Sequence, residues 1–353
     1  MFSYAMNNIQ SLMIFFSYFL QLDFYNIGIS SYNLETVIIV EKLDDLTLTV
    51  SLRTQSTHDS QEQQLKMALT KSLTRAQLKN VLGKIAQLYP ESYADSAWDN
   101  TGLLIDCSVE SEQPQTVVQP KVLLTVDLTE SVANEALDHG CNLIVAYHPF
   151  IFPSWKKLTP YQNPQHASAI KLIQNGISVY SPHTAVDAAK NGVNDWLSST
   201  LGGNVLSNMA IERVNAVQGE EEHEVGYGRV VKLAEPVSLQ DIIKNVKSAL
   251  DIPYVQVATK TNVEEHMIQK IALCAGSGSG VFKNLREDVD LYYTGELSHH
   301  EALRYKESGK AVIVCNHSNT ERGFIRKVML PSLLESGVEC IVSETDIDPL
   351  QVV

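Results

Sequence analysis

The sequence has few basic residues beside its acidic ones. Its 353 residues include 27 Lys and Arg against 41 Asp and Glu, which gives a net charge of −14 at pH 7. Because an acidic surface repels phosphate backbones, this balance argues against general nucleic-acid binding. It is compatible with a local pocket for a small anionic ligand and with the retention of divalent cations.

Cysteine is scarce as well. The five cysteines are an odd number, no two of them form a C-x-x-C pair, and most lie in or beside apolar segments. This spacing disfavours a disulfide framework and a zinc finger, and it indicates reduced, buried thiols. We therefore expect a cytoplasmic protein, with the nucleus and the mitochondrion left open as further compartments.

The chain also lacks a convincing membrane or targeting segment. Its most apolar early stretch, residues 12–22, is too short and too interrupted for a transmembrane helix, and the first basic residue is Lys42. Residues 54–64 are polar and rich in glutamine, which is typical of a linker. We interpret residues 1–66 as a poorly structured extension or as the result of a start codon assigned too far upstream. A membrane-associating segment is the alternative.

Familiar catalytic motifs are missing too. The sequence contains no G-x-S-x-G elbow, no H-E-x-x-H segment and no reactive-cysteine signature. The sequence therefore offers no motif of the common serine-hydrolase, zincin or cysteine-nucleophile type.

From residue 67 onward, apolar strands alternate with amphipathic helices. Thr74 and Gln77 have the spacing of a helix capping box. Continuous apolar strands separated by helices indicate an α/β protein with largely parallel sheets covered on both faces. The predicted strands are 122–126, 143–146, 177–180, 229–233, 255–259, 270–274, 291–293 and 311–315.

Three of these strands run directly into side chains that bind metals. His148 follows the second strand, His183 and Asp187 follow the third, and His317 and Glu321 follow the last. Ligands of parallel α/β sheets gather outside the carboxyl ends of the strands. We therefore expect these imidazoles and carboxylates to converge although they are far apart in sequence.

A mixed set of imidazoles and carboxylates suits zinc, manganese or iron, as one ion or two. His317 and Glu321 are four residues apart, so on a helix they share one face, and a carboxylate there can bridge two metals. The alternatives are that each histidine is a satisfied polar residue, that Asp187 is a helix N-cap, and that His317 and Glu321 form a surface pair.

Two further segments carry candidate residues. Gly276, Ser277 and Gly278 follow a strand and precede a helix, which is where backbone N–H groups bind anions; a plain flexible turn is the alternative. Glu296 follows the next strand and is a candidate for general acid or base catalysis, or for orienting a ligand.

Several motifs occur together in a fixed order. They are Trp98-Asp99-Asn100, Tyr147-His148-Pro149, Pro182-His183-Thr184, Gly192-Val193-Asn194, Gly226-Tyr227-Gly228-Arg229, Cys274-Ala275-Gly276, Thr294-Gly295-Glu296 and Asn316-His317-Ser318. In this order they resemble the NGG-one-interacting factor three family, also labelled the GTP cyclohydrolase I type 2 family, and its shorter fungal members above all. The resemblance covers residue 67 to the C-terminus.

The resemblance implies two interleaved α/β domains with a dinuclear metal site in the cleft between them. The first domain would consist of residues 67–205 and 290–353, the second of residues 206–289. Relatives form homo-oligomers built from dimers, and the family name implies a transcriptional coactivator subunit as a partner.

The resemblance also assigns roles at the metal site. His148 matches the second histidine of a His-His-Pro motif, Asp187 the carboxylate of the first metal, His317 an imidazole of the second metal, and Glu321 the bridge. Tyr147 stands where the first histidine is expected. The half with His148, Asp187 and Glu321 is therefore expected to be complete, and the half with His317 to lack one imidazole.

The function that we expect from the sequence is metal-dependent hydrolysis of a small phosphorylated or nucleotide-like compound. Glu296 and His183 are its candidate catalytic residues. The alternatives are a regulatory protein that binds a coactivator subunit and keeps a structural metal, and a protein of metal or cofactor trafficking.

Overall fold

The computed structural model describes residues 36–43, 47–54, 72–110, 118–152 and 154–350. The chain divides into two units, Met1–Lys66 and Met67–Val353. In the first unit, strands β1 (Thr36–Leu43) and β2 (Thr47–Thr54) pair antiparallel. The sequence predicts no strands there, and the rest of the expected extension lies outside the described residues.

The first sheet of the second unit has five strands in the order β13-β4-β5-β6-β3. Neighbouring strands in this sheet are parallel, except that β3 pairs antiparallel with β6. The strands are β3 (Gly102–Ile105), β4 (Val122–Thr125), β5 (Leu143–Ala146), β6 (Ser178–Ser181) and β13 (Cys340–Val342).

The second sheet has six strands in the order β7-β8-β10-β11-β12-β9. Parallel strands β10, β11 and β12 form its centre, and the flanking strands are antiparallel. The strands are β7 (Val205–Arg213), β8 (Gly226–Ser238), β9 (Gln256–Ala258), β10 (Met267–Ser277), β11 (Leu291–Glu296) and β12 (Ala311–Val314).

Helices connect and cover these strands. Helix α1 begins with the predicted capping box, since Thr74 accepts from the Gln77 backbone and Gln77 reaches back to the Thr74 N–H. The helices are α1 (Arg75–Leu88), α2 (Glu130–Asp138), α3 (Pro164–Gln174), α4 (Thr184–Ala188), α5 (Val193–Ser199), α6 (Leu239–Leu250), α7 (Ser279–Phe282), α8 (His299–Glu307), α9 (Asn319–Phe324) and α10 (Leu330–Glu335).

The α/β fold class with parallel strands at the sheet centres is confirmed. The predicted domain limits need a correction, because the sequence analysis places residues 290–353 with the first domain. Strand β11 instead pairs with β10 and β12 with β11, so both extend the second sheet. Only β13 returns to the first sheet, beside β4.

One apolar core joins the two sheets. Val122 and Val145 of the first sheet belong to the same buried cluster as Val231 and Leu273 of the second. Burial of this continuous surface is the main force that fixes the sheets against each other. Of the described helices, none is long and apolar enough to cross a membrane.

A buried arginine ties the segments beside this core together. Arg229 is fully buried, and its Nε donates to Asp195 Oδ1 at 2.6 Å. Its Nη atoms donate to the backbone carbonyls of Ala189, Glu224 and Gly226. A buried guanidinium is tolerated because its donors are paired in this way.

Candidate metal centre

The strand ends of the two sheets meet at one cleft. His148 lies two residues beyond β5 of the first sheet, and His317 three residues beyond β12 of the second. Their imidazole rings are 5.2 Å apart between centroids. Glu321 lies in α9, four residues after His317. The predicted convergence of these three residues is therefore found.

The ligand atoms of His148, His317 and Glu321 all lie within 4.8 Å of one another. Glu321 is 2% exposed and lies between the two imidazoles. Its Oε2 is 3.2 Å from His148 Nε2, and its Oε1 is 3.5 Å from His317 Nε2. Two imidazole nitrogens and a carboxylate at this spacing can bind a divalent ion such as zinc, manganese or iron.

Two of these atoms are buried without a hydrogen-bond partner. His148 Nε2 and Glu321 Oε2 lie 3.2 Å apart, within ion-pair distance, and neither atom has a hydrogen-bond partner. An unsatisfied buried polar group costs about 1–3 kcal/mol. A cation that binds both atoms removes this cost, so the residues present fit a divalent ion.

Three histidines at the cleft share one arrangement: a carboxylate contacts the Nδ1 atom of each. Such a contact fixes the tautomer and the ring orientation and leaves Nε2 free as a ligand or a base. The contacts are Asp127 Oδ1 with His148 at 2.9 Å, Glu296 Oε2 with His317 at 3.1 Å, and Asp99 Oδ1 with His183 at 2.7 Å.

Electrostatics at the first of these contacts are strong. Burial of His148 opposes its protonation, but the nearby carboxylates of Glu321 and Asp127 outweigh burial and hold the pKa of His148 well above its usual value. Burial of Asp127 favours its neutral form, yet the hydrogen bond with His148 holds the pKa of Asp127 below its usual value. Protons and an incoming ion therefore compete for His148.

Gly276 makes room for the ligands. Its φ is +57°, and a Cβ there would lie 2.8 Å from Glu321 Oε1 and 2.8 Å from His317 Nε2. The N–H of Gly276 donates to Thr320 Oγ1 at 2.8 Å, so it is not free for an anion, and the anion-binding role of this segment stays a prediction. Gly278 packs closely against the Phe282 ring. Of the three residues predicted to bind an anion, Gly276 and Ser277 line the cavity described below.

Asp187 is not part of this three-residue group. Its Oδ1 accepts a hydrogen bond from the hydroxyl of Tyr147. Loss of solvation raises the pKa of Asp187 to about 6 and the pKa of Tyr147 well above its usual value, so Tyr147 stays a neutral phenol. The close group of three therefore includes His317 and leaves out Asp187, whereas the sequence analysis expects the half with Asp187 to be the complete one.

His183 lies beside the group in an unusual conformation. It is the N-cap of α4 with a φ of +33°, and its ring centroid is 5.6 Å from that of His148. Positive φ at a non-glycine residue is strained and concentrates at functional sites. The Asp99 contact holds this imidazole at the cleft.

The ligand group opens into a cavity of about 410 Å³, a size within the range of small-molecule sites. Trp98 and Tyr227 are aromatic lining residues, and Asp95 and Glu212 add two carboxylates. No Lys or Arg is found among its described lining residues. Among the described lining residues, a phosphate group in this cavity would find no permanently charged basic side chain as its partner.

Glu296 lies on the other side of His317. Its side chain is half exposed and lines a second recess, together with Ser298 and Asn316. Glu296 is predicted either to act as a general acid or base or to orient a metal ligand. Its contact with His317 Nδ1 agrees with the second role.

Sequence reasoning missed Asp127 and Asp99. Asp127 comes directly after the apolar strand β4 and its continuation Val126, which is the same pattern that identified His148. The signal was therefore present. Asp99 lies in a loop before β3, and its sequence context carries no local sign of a histidine partner 84 positions away.

The chain is similar to known proteins. The family model described as Duf34/NIF3 (NGG1p interacting factor 3) matches residues 76–349. The chain belongs to the DUF34/NIF3 family. This confirms the family resemblance, and the match begins after residues 1–66.

Relatives in this family align over nearly their whole length. "NGG1-interacting factor 3" of Saccharomyces cerevisiae is 58% identical over 290 residues, which cover 80% of this chain and 100% of that protein. "Protein NIF3 homolog" of Schizosaccharomyces pombe is 44% identical, with coverage of 79% and 99%. These identities confirm the expected similarity to fungal members.

Solved structures share the fold. The Staphylococcus aureus hypothetical protein SA1388 has a TM-score of 0.63 at 25% identity, covering 77% of this chain and 97% of its own. A Bacillus cereus protein related to NIF3 has a TM-score of 0.64 at 19% identity, covering 77% and 98%.

Proposed function

We propose that this DUF34/NIF3 protein is a metal-dependent hydrolase of small phosphorylated or nucleotide-like compounds. One observation carries the proposal: His148, His317 and Glu321 bring their ligand atoms together at a cavity of small-molecule size. Three protein ligands that leave a position open towards a cavity are the usual arrangement of a catalytic metal site.

His148, His317 and Glu321 would hold the ion, which when bound supplies Lewis acidity to a substrate oxygen. Asp127 accepts the Nδ1 hydrogen of His148, and Glu296 Oε2 lies 3.1 Å from Nδ1 of His317, so each Nε2 lone pair is kept towards the cleft. Burial of Glu321 excludes water from the carboxylate and strengthens its attraction for a cation.

His183 is the residue best placed for proton transfer. Asp99 holds its Nδ1, which leaves Nε2 to accept or donate a proton at a substrate in the cavity. Asp99 stabilises the imidazolium that forms. Burial of Asp99 opposes its ionisation, but the hydrogen bond with His183 outweighs burial and holds the pKa of Asp99 below its usual value. Glu296, in contrast, acts on His317 and positions it.

The lining of the cavity favours a substrate with little negative charge. Trp98 and Tyr227 offer aromatic faces for a planar ring. Because Asp95 and Glu212 are acidic and no Lys or Arg is found among the described lining residues, a polyphosphate would be repelled. A nucleoside monophosphate or another phosphomonoester, whose phosphate meets the ion, is the preferred class.

The test is turnover by protein that has been stripped of metal and reloaded with zinc, manganese or iron. Nucleotides and phosphomonoesters form the panel, with His183→Asn as the variant and His299→Asn as the matched control. His299 is exposed at the start of α8 and does not line the cavity. We expect His183→Asn to lose activity and His299→Asn to keep it. No turnover of any compound by reloaded protein would contradict it.

A second function is a regulatory role in protein interaction, with the metal kept for structure. The name of the yeast relative, "NGG1-interacting factor 3", favours it. The test is binding of a coactivator subunit by His148→Ala combined with Glu321→Ala, with circular dichroism as the check of folding. Unchanged binding by the folded variant would show that the protein interaction does not depend on the metal site.

We also propose an oligomeric state and a cellular compartment for the protein. We expect a cytoplasmic homo-oligomer built from dimers. Light scattering of the purified full chain measures its mass, and a monomer at micromolar concentration would contradict this expectation.

A further inference from the structure

Tyr147 and Asp187 lie beside the three ligands and are bonded to each other. Tyr147 is 1% exposed just after β5, and its hydroxyl donates a hydrogen bond to Asp187 Oδ1. The phenol oxygen therefore keeps its hydrogen, and the bond occupies one carboxylate oxygen. Neither atom belongs to the group formed by His148, His317 and Glu321.

The ligand atoms that remain do not form a site for another ion. An ion held by His148 Nε2, His317 Nε2 and one Glu321 oxygen occupies both imidazoles and leaves only the second Glu321 oxygen free. Among the described residues, no other three His, Cys, Asp or Glu side chains bring ligand atoms this close together. The other potential ligands at the cleft, Asp187, His183 and Cys274 among them, do not form a second close group with the free Glu321 oxygen, whereas a metal site in a protein usually has at least three protein ligands.

We propose that this protein holds one divalent ion per chain, and that Tyr147 closes the position of a second ion. The inference rests on the metal site of the proposed function and departs from the two-metal site that the family resemblance implies. An imidazole in place of the phenol would add a ligand nitrogen and release Asp187 Oδ1. Together with His183 or Glu321, those atoms would complete a second set of ligands.

Metal counting on the full-length chain tests this directly. Wild type, Tyr147→His, Tyr147→Phe and the double variant His148→Ala with His317→Ala are stripped with a chelator, saturated with Mn²⁺ and desalted. Mass spectrometry gives the ratio of metal to protein. Electron paramagnetic resonance detects the exchange coupling of two Mn²⁺ ions that lie a few ångströms apart.

We expect one uncoupled ion in wild type and in Tyr147→Phe, two coupled ions in Tyr147→His, and none in the double variant. Tyr147→Phe removes the hydroxyl without adding a nitrogen, so it is the matched control. Should Tyr147→His fail to fold, the counts in wild type and Tyr147→Phe decide the matter.

The outcomes distinguish a failure of the one-ion inference from a failure of the metal site itself. Two ions per wild-type chain would overturn the one-ion inference and leave the metal site intact. A wild type without metal, or a double variant that still binds it, would overturn the metal site and the inference with it. A folded Tyr147→His that holds one ion would overturn the role given to Tyr147.

Discussion

Replacement of Gly276 by alanine should remove metal binding while the chain stays folded. The added Cβ would lie 2.8 Å from Glu321 Oε1 and 2.8 Å from His317 Nε2, where real Cβ contacts essentially never fall below 3.0 Å. Two of the three ligand side chains must therefore move. Alanine at a φ of +57° adds a backbone cost of about 1–2 kcal/mol.

The magnitude follows from these two effects. Altering a residue that merely supports a ligand lowers metal affinity about 10–100-fold. Because the new methyl group displaces two ligands outright, we expect a loss of at least about 100-fold, which corresponds to about 2.8 kcal/mol. The stability of the metal-free chain should fall by only the backbone cost.

Competition with a chromophoric chelator measures the affinity, and thermal melting of the metal-free protein measures the stability. Gly280→Ala is the matched control, because a Cβ at Gly280 meets no atom within 4 Å. It should bind metal as the wild type does. Wild-type affinity in a folded Gly276→Ala protein would refute the placement of the ion between Glu321 and His317.

Three further changes have defined outcomes. Asp127→Asn should weaken metal binding about 10–100-fold, as chelator competition will show, because the asparagine no longer holds the Nδ1 hydrogen of His148 as a carboxylate does. Since a proton competes for His148 below its raised pKa, metal affinity should fall about tenfold per pH unit there, and an affinity independent of pH would contradict this. Arg229→Met should cost about 3–5 kcal/mol in denaturant unfolding, because it leaves a partly buried carboxylate unpaired. Arg75→Met, at an exposed ion pair, should stay within about 1 kcal/mol of the wild type.

The sequence was sufficient for the fold class and for most of the ligand group. Periodicity predicted the strands that run into His148 and His317, and the carboxyl-end rule placed those residues together. It could not tell which sheet β11 and β12 join. Strand pairing is a long-range choice, and a fully apolar strand has the same pattern in either sheet.

The contacts within the cleft were harder to predict. The sequence analysis predicts Asp187 as a ligand and finds Tyr147 where a histidine ligand is expected. Only the packed structure shows that the two side chains form a hydrogen bond with each other. Likewise, Gly276 looked like part of an anion loop, whereas its N–H is used by Thr320. Side-chain partners depend on distances across the cleft, which local sequence patterns do not encode.

Anomalous diffraction from crystals grown with Zn²⁺ tests the central claim most directly. We predict one peak per chain, about 2.0–2.3 Å from His148 Nε2, His317 Nε2 and a Glu321 carboxylate oxygen. No peak at this point, or a peak bound by Asp187 in place of His317, would contradict the account.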